Sequence, residues 1–244
     1  MTDSRSASIS KNNYRITRAA RCVALFSFEE INMNNDYKTV AMEANDEFVE
    51  KRSRFIGYVK PVKSEQEAID FINQKRSEHW NATHNVYAYS LREGNIKRYS
   101  DDGEPSGTAG MPVLDVIVKN EIYDVCVVVT RYFGGVLLGT GGLVRAYSQG
   151  AKIALESGNI VLMRYCLLCE ARCTYNQYGK VSSLIMESGA EIDDTVYETD
   201  VLIKFHIKPE LITSLNKKLA DATSGEVTVS CDETKTEYFM SDIN

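Results

Sequence analysis

The chain has 244 residues, which is enough for one or two domains that each bury a hydrophobic core. Apolar residues make up 43% and charged residues 25%, and only 4 residues are proline, so the composition excludes a Pro-rich or disordered protein. The formal net charge of −6 excludes coating of nucleic acid by bulk charge, and phosphate binding would need a local basic patch. No apolar run approaches the ~18 residues of a membrane span, so we expect no membrane partner.

The first residues differ from the rest of the chain. Residues 1–32 are rich in Ser, Asn and Arg without a helix or strand period, so we expect a disordered tail or a non-native extension. An Arg-rich transit peptide is the alternative, which Glu29 and Glu30 disfavour. Residues 1–32 carry five basic and three acidic groups (net +2), residues 33–162 carry 15 and 17 (net −2), and residues 163–244 carry 8 and 14 (net −6). The acidic last third is therefore expected to do a different job.

Helices and strands are predicted to mix in the next part of the chain. The predicted strands are two within Phe48–Val62, interrupted by the basic run 51–54, and one each at Asn85–Leu91, Pro112–Lys119 and Tyr123–Thr130. Ser64, three residues ahead of Glu67, indicates the start of a helix. Helical spacing gives that helix a face made of Ala68, Phe71, Ile72 and Lys75. A second helix is predicted at Leu143–Ser157, with Gly158 as its stop.

The last third of the chain has its own pattern of predicted strands and helices. Its predicted elements are the strand Cys166–Tyr175, the helix Gln177–Ser188, the strands Glu191–Tyr197 and Asp200–Lys208, the helix Pro209–Ala222 and the strand Glu226–Cys231. That βαββαβ order is typical of a ferredoxin-like domain. We therefore predict two α+β domains, at residues 33–160 and 163–244.

The six cysteines are predicted to be buried, reduced thiols. They are Cys22, Cys126, Cys166, Cys169, Cys173 and Cys231. The spacing Cys166-x-x-Cys169-x-x-x-Cys173 suggests zinc, but the segment is apolar and has no nearby His or second Cys-x-x-Cys. We therefore predict no metal and no cofactor, and a reducing cytoplasm as the location.

Glycine is concentrated in the middle of the chain. Nine of the 15 glycines lie between Gly94 and Gly142, and two runs at residues 100–110 and 131–145 hold most of them. A Walker A loop fails because Thr140 occupies its lysine position, and a dinucleotide fingerprint fails because Val144 occupies its third glycine position. No standard nucleotide-binding motif is therefore present in these runs.

A phosphate pocket is nevertheless predicted where the second run enters the helix that includes Leu143. The N-terminus of a helix offers free N–H groups, and Arg131 and Arg145 would bring guanidinium groups to the same place. The alternative is structural: the glycines allow tight packing, and the arginines pair with carboxylates of the first run. The residues alone leave both readings open.

The first run also contains an acidic turn. Asp101, Asp102 and Glu104, joined by His84, would suit a divalent cation or acid/base catalysis on a phosphorylated small molecule. Carboxylates in a Gly/Pro turn are more often solvated or paired with arginine, so we favour a binding protein over an enzyme.

Basic and aromatic residues interleave in a way that suits a surface tracking a nucleic-acid backbone and stacking its bases. They are Arg52, Arg54, Phe55, Arg92, Lys97, Arg98, Tyr99, Arg131, Tyr132 and Phe133. Scattered surface charge is the alternative.

Three segments resemble the signature of the Impact/YigZ family: Ala82-Thr-His84, YSDDGEPSGTAGMPVLDV and VVVTRYFGGVLLGTGGLVRAYS. The resemblance implies that Phe48–Leu155 is an Impact domain with the fold of domain 2 of ribosomal protein S5. The last third, with Tyr175-x-x-Tyr178-Gly179-Lys180, is similar to the second domain of bacterial members, which is ferredoxin-like and akin to the last domain of elongation factor G. The candidate binding residues are His84, Asp101, Asp102, Glu104, Ser106, Thr108, Arg131, Gly134, Gly135, Gly139, Gly141 and Arg145.

The resemblance implies a role near translation or nucleic acid. Our leading hypothesis is a cytoplasmic nucleic-acid- or ribosome-associated binding protein linked to regulation of translation, with RNA or translation factors as partners. Eukaryotic Impact proteins carry an additional RWD domain, for which we see no sequence here. The alternatives are an enzyme acting on a phosphorylated small molecule through the acidic turn, and a protein-interaction regulator whose acidic last third docks a basic partner without binding nucleic acid.

Overall fold

A computed structural model describes residues 36–241, and their side chains as far as residue 231. The expectation for residues 1–32 lies outside the described residues. The described strands are β1 (Tyr37–Val40), β2 (Ala44–Glu50), β3 (Ser53–Pro61), β4 (His84–Leu91), β5 (Ile96–Ser100), β6 (Val125–Tyr132), β7 (Ile160–Cys173), β8 (Glu191–Tyr197), β9 (Val201–Ile207) and β10 (Val229–Ser241). The described α-helices are α1 (Glu65–Glu78), α2 (Gly110–Lys119), α3 (Thr140–Ser157), α4 (Tyr175–Glu187) and α5 (Ile212–Thr223). This part of the chain has the predicted α+β fold, with two sheets.

The first sheet has the strand order β2-β3-β6-β4-β5, and all neighbouring strands are antiparallel. Its central strand β6 is buried on both faces, which explains its nearly continuous apolar sequence. Val127 and Val129 pack in the core that α2 and α3 cover. Cys126 and Val128, which point to the other face, pack against α1. The helices therefore hold the sheet from both sides.

Helix α1 confirms its local prediction. Ser64 is its N-cap, and the Ser64 hydroxyl accepts from the Glu67 amide at 3.2 Å. Its buried residues are Ala68, Phe71, Ile72 and Lys75, the face that helical spacing gives. The predicted helix at Leu143–Ser157 is also confirmed as α3, which begins three residues earlier.

The predicted strand at Pro112–Lys119 is wrong, because these residues form most of α2. The run is rich in β-branched residues, and this favoured a strand. Its buried positions are Gly110, Pro112, Val113, Leu114 and Ile117, and all but Pro112 follow the helical spacing of three and four residues. Pro112 lies in the first helical turn, where its missing N–H costs nothing.

The second sheet confirms the predicted βαββαβ order. Strands β10, β7, β9 and β8 lie side by side in that order, and α4 and α5 complete the motif. Val181 and Ile185 of α4 and Leu215 of α5 pack in one core with Ile203 and Phe205 of β9. This arrangement is ferredoxin-like.

Strand β1 precedes the first sheet in the chain but belongs to the second sheet. It lies within the range predicted for the first domain, yet it pairs antiparallel with the beginning of β7, with Tyr37 opposite Met163. The boundaries 33–160 and 163–244 stay a prediction.

The prediction that every cysteine is a reduced thiol is wrong for two of them. Cys169 of β7 and Cys231 of β10 lie opposite each other and form a disulfide. Cys126, Cys166 and Cys173 are free and buried, as predicted, and burial raises the pKa of the Cys166 thiol to about 11. Cys22 lies outside the described residues.

Neither a zinc site nor a membrane span is found in the described part of the chain. Cys166 and Cys169 are three apart on one strand, so their side chains point to opposite faces of the sheet. No group of three His, Cys, Asp or Glu side chains between residues 36 and 231 is placed to hold a metal ion. No helix among residues 36–241 is both long and apolar enough to cross a membrane.

Candidate functional site

Four connections meet at one end of the first sheet, which we call the loop edge. They are the β2–β3 turn at residues 51–52, the α1–β4 connection at 79–83, the β5–α2 connection at 101–109 and the β6–α3 connection at 133–139. The strand register brings these connections together. At the end of β6, Tyr132 lies opposite Arg54 of β3, and Arg131 lies opposite His84 of β4. Both glycine runs of the sequence therefore lie in one place.

A buried ion pair lies beneath the loop edge. Arg131 is only 5% exposed and Glu104 only 8%, and the Arg131 Nη1 donates to Glu104 Oε1 at 2.5 Å. The hydroxyl of Tyr147 on α3 donates to the same oxygen at 2.7 Å. Burial and this hydrogen bond raise the pKa of Tyr147, so the phenol stays a donor. The pair therefore ties β6 to the acidic turn and to α3.

The predicted phosphate pocket between Arg131 and Arg145 is wrong in its geometry. Arg131 forms an ion pair with Glu104. The Arg131 guanidinium also lies 5.4 Å from the ring centres of both Phe55 and Phe133. Arg145 is exposed, and its Nε donates to a carbonyl of its own helix at 3.2 Å. The open alternative, in which an arginine pairs with a carboxylate of the first run, is confirmed for Arg131. A guanidinium this deeply buried needs a counter-charge.

Asp101 holds the start of α2. Its carboxylate accepts from the backbone amides of Gly107 at 3.0 Å, Ala109 at 3.1 Å and Gly110 at 2.8 Å. These amides belong to the glycine-rich turn and the first helical residues, whose N–H groups would otherwise lack an acceptor. This carboxylate is a cap for the helix.

Asp102 and His84 hold the acidic turn against β4. The Asp102 carboxylate accepts from Arg76 at 2.8 Å and from the amide of Asn85 at 2.6 Å. The His84 Nδ1 donates to the backbone carbonyl of Asp102 at 2.8 Å, and its Nε2 lies 3.7 Å from Glu104. All three carboxylates of the turn thus bind the chain itself, which gives the catalytic hypothesis little support.

The other candidate residues take different places at the loop edge. Thr108 is buried and donates to the Pro105 carbonyl at 2.7 Å, whereas Ser106 is exposed. A Cβ on Gly134 would collide with the backbone of Arg52, so only glycine fits there. Around Gly135, Gly139 and Gly141, no described atom lies within 4 Å of the place a Cβ would take.

The interleaved basic and aromatic set is divided between core and surface. Phe55 and Arg131 are buried, and Arg54 pairs with Glu47. Arg52 and Phe133 remain on the surface of the loop edge, and Phe133 is 46% exposed. The set therefore does not form one continuous surface.

Sequence reasoning missed Trp80, the single tryptophan of the chain, which is 82% exposed. The preceding His79 anchors its loop, because the ring contacts the Tyr58 hydroxyl through Nε2 at 2.6 Å and the Tyr132 hydroxyl through Nδ1 at 2.8 Å. Tyr132 in turn donates to Asn81 at 3.4 Å, which fits a neutral ring that donates from Nδ1. A large aromatic residue in a polar loop was the available signal.

Acid is expected to loosen this anchor. Burial between the tyrosines lowers the pKa of His79, although Glu78 partly opposes the shift. The unfolded chain therefore binds more protons below a pH of about 6.5, and stability falls as the pH drops through that value. We expect the loss of unfolding free energy between about pH 7.5 and about pH 5.5 to be larger in the wild type than in His79→Gln, measured by urea denaturation. An equal loss in both proteins would contradict this role.

Comparison with known proteins gives two matching family models. The Impact N-terminal domain matches residues 51–155, and a domain of unknown function, DUF1949, matches residues 172–226. The IMPACT family member YvyE of Bacillus subtilis is 36% identical over 80% of this chain and 90% of its own length. The IMPACT family member YigZ of Escherichia coli is 33% identical over 72% of this chain and 88% of its own length. A crystal structure of a hypothetical protein, 29% identical, covers 82% of this chain and 98% of that chain with a TM-score of 0.51.

Proposed function

This chain belongs to the Impact family. We propose that it is a cytoplasmic nucleic-acid-binding protein whose loop edge holds single-stranded RNA. Its role would be linked to the ribosome and to regulation of translation. The observation that carries the proposal is an exposed group of cations and aromatic rings on the loop edge and on helix α3, which follows it. Its members are Lys51, Arg52, Trp80, Phe133 and Arg145.

Local charge supports the proposal although the whole chain is acidic. Glu104 is balanced internally by Arg131 and Asp102 by Arg76, so these carboxylates are screened from a ligand. Lys51 and Arg52 form no salt bridge within the described part of the chain. The loop edge therefore presents cations outward, and phosphates would be attracted to it.

The aromatic residues favour a single strand over a duplex. Trp80 and Phe133 lie on adjoining loops, because the Phe133 amide donates to the Thr83 hydroxyl at 3.1 Å. Exposed rings bind unpaired bases by stacking, which contributes about 1–3 kcal/mol per base. The bases of a duplex are already stacked on each other and would not reach these rings.

The glycine-rich β6–α3 connection supports a close approach of the phosphate backbone. Gly139 is the N-cap of α3, and among the described residues no side-chain hydrogen bond caps that end of the helix. The open space around Gly135, Gly139 and Gly141 lets a ligand reach backbone N–H groups there. These contacts add to the cations and do not depend on base identity, so we expect little sequence preference.

The proposal is tested by RNA binding of the full chain. A fluorescent single-stranded RNA of about 12 nucleotides is titrated with protein, and its anisotropy is followed. We expect affinity to fall steeply between about 50 and about 200 mM salt, and the double variant Arg52→Ala with Arg145→Ala to bind about tenfold more weakly with a shallower salt slope. Lys119→Ala, at the far end of α2, is the matched control and should bind as the wild type does.

Trp80 supplies a second readout. Because it is the only tryptophan, a base stacked on it would quench the intrinsic tryptophan fluorescence of the protein. We expect Trp80→Ala to weaken RNA binding about tenfold. Absent binding, binding that does not depend on salt, or equal affinity in the arginine variants and the control would each refute the proposal.

A further inference from the structure

We infer that the second sheet carries a separate docking site for a basic peptide segment of a protein partner, formed by a tyrosine cluster beside an acidic pocket. It goes beyond the proposed RNA site, which lies on the first sheet. The tyrosine cluster consists of Tyr175, Tyr178 and Tyr197.

Two rings of the tyrosine cluster are exposed, and contacts within the cluster hold them in place. Tyr175 is 56% exposed and Tyr197 is 55% exposed, and their rings stack with centres 6.4 Å apart. Tyr178 meets Tyr197 edge to face at 5.7 Å. The Tyr175 hydroxyl donates to the backbone carbonyl of Glu198 at 2.8 Å, which holds the first turn of α4 to the β8–β9 turn. Tyr175 and Tyr197 are thus presented to solvent, whereas the half-buried Tyr178 packs against the core of the second sheet and supports Tyr197 from below.

An open pocket of about 320 Å³ adjoins the tyrosine cluster. It is lined by Arg172, Cys173, Thr174, Gln177, Asp200, Glu226, Val227 and Thr228. Thr174 and Gln177 precede Tyr175 and Tyr178 directly in the chain, so the first turn of α4 forms a wall shared by the pocket and the cluster.

The negative charge around the pocket favours a cationic partner. Asp200 and Glu226 face a single cation, Arg172, and the exposed Glu198 adds a third carboxylate on the adjoining turn. Gln177 donates to Glu226 at 2.6 Å and fixes that carboxylate in place. Residues 163–244 carry 14 acidic and 8 basic groups, a net charge of −6. This charge repels nucleic acid and attracts a basic segment.

An arginine side chain can bind the tyrosine cluster and the acidic pocket at the same time. A guanidinium stacks flat on an aromatic face and also donates to carboxylates in the plane of the group. Asp200 directly precedes Val201, which lies opposite Tyr197, so an arginine side chain seated on Tyr197 would come close to Asp200. Neighbouring cations of the same segment would meet Glu198 and Glu226. The site thus recognises an arginine-rich segment by stacking and by charge.

The experiment uses the full chain and a fluorescent peptide of alternating arginine and glycine, followed by anisotropy. We expect binding that weakens with salt and that Tyr197→Ala and Tyr175→Ala each weaken about fivefold to tenfold. Asp200→Asn should weaken it to a similar extent. Met186→Ala and Glu187→Gln, exposed in the last turn of α4, are the matched controls and should leave the affinity unchanged. Both tyrosines are exposed, so circular dichroism should show folded variants.

Three outcomes would overturn the inference. The first is no binding of the arginine peptide by the wild type. The second is equal affinity in the tyrosine variants and the controls, which would mean attraction by acidic charge alone. The third is displacement of the peptide by single-stranded RNA from the wild type and equally from the protein with Arg52→Ala and Arg145→Ala, which would place nucleic acid on the tyrosine cluster.

Discussion

Replacing Glu104 with alanine is expected to lower the free energy of unfolding by about 3–5 kcal/mol, the usual cost of breaking a buried ion pair. The variant leaves the buried Arg131 guanidinium without its carboxylate, and Tyr147 without the acceptor of its hydroxyl. The Nε of Arg131 already lacks a hydrogen-bond partner within the described part of the chain, so the Ser53 hydroxyl and the rings of Phe55 and Phe133 are left to compensate the charge. Urea denaturation followed by circular dichroism measures the loss.

A double-mutant cycle separates the ion pair from the space that its side chains fill. Glu104→Leu combined with Arg131→Met removes both charges at similar volume, and it should be more stable than Glu104→Leu alone. Glu47→Ala, which breaks the exposed pair with Arg54, should cost no more than about 1 kcal/mol. If Glu104→Ala cost as little as Glu47→Ala, the pair would not hold the loop edge together.

Sequence reasoning predicted the elements whose signals are local. The cap at Ser64 and the apolar face of α1 lie within one segment, and both are confirmed. The run Pro112–Lys119 was assigned to a strand because it is rich in β-branched residues, although its buried residues Val113, Leu114 and Ile117 form one face of a helix. The short strand Tyr37–Val40 was missed because its partner, β7, lies more than a hundred residues further along. Pairing across such a distance leaves no periodic signal in a four-residue strand.

The candidate site was likewise predicted only in part from the sequence. The two glycine runs and the family resemblance identified the loops that form the loop edge, because residue type and spacing carry that information. They did not identify which charges cancel: Arg131 pairs with Glu104, and Asp101 caps a helix that was predicted to be a strand. The sequence shows Trp80 in a polar segment, but its degree of exposure depends on how His79 anchors the α1–β4 connection.

Gly57→Ala is expected to destabilise the fold by about 3 kcal/mol, at the upper end of the usual cost of overpacking. Helix α3 crosses β3 at this residue, and an added Cβ would collide with the carbonyl oxygen of Gly150 and lie 3.0 Å from the Ala154 Cβ. Backbone cannot rotate away as a side chain can. The helix would have to shift, and Tyr147 on the same helix would move away from Glu104.

The same substitution at Gly179 is the matched control, and it should act in the opposite direction. Gly179 lies inside α4, where no described atom lies within 4 Å of the place its Cβ would take. Alanine there removes the entropy cost of glycine in a helix and should stabilise the fold by about 0.5–1 kcal/mol. Both variants are measured by urea denaturation, and RNA affinity should fall only for Gly57→Ala. Equal stabilisation at both positions would mean that α3 has room to move on the sheet, and then the loop edge would not depend on close packing beneath it.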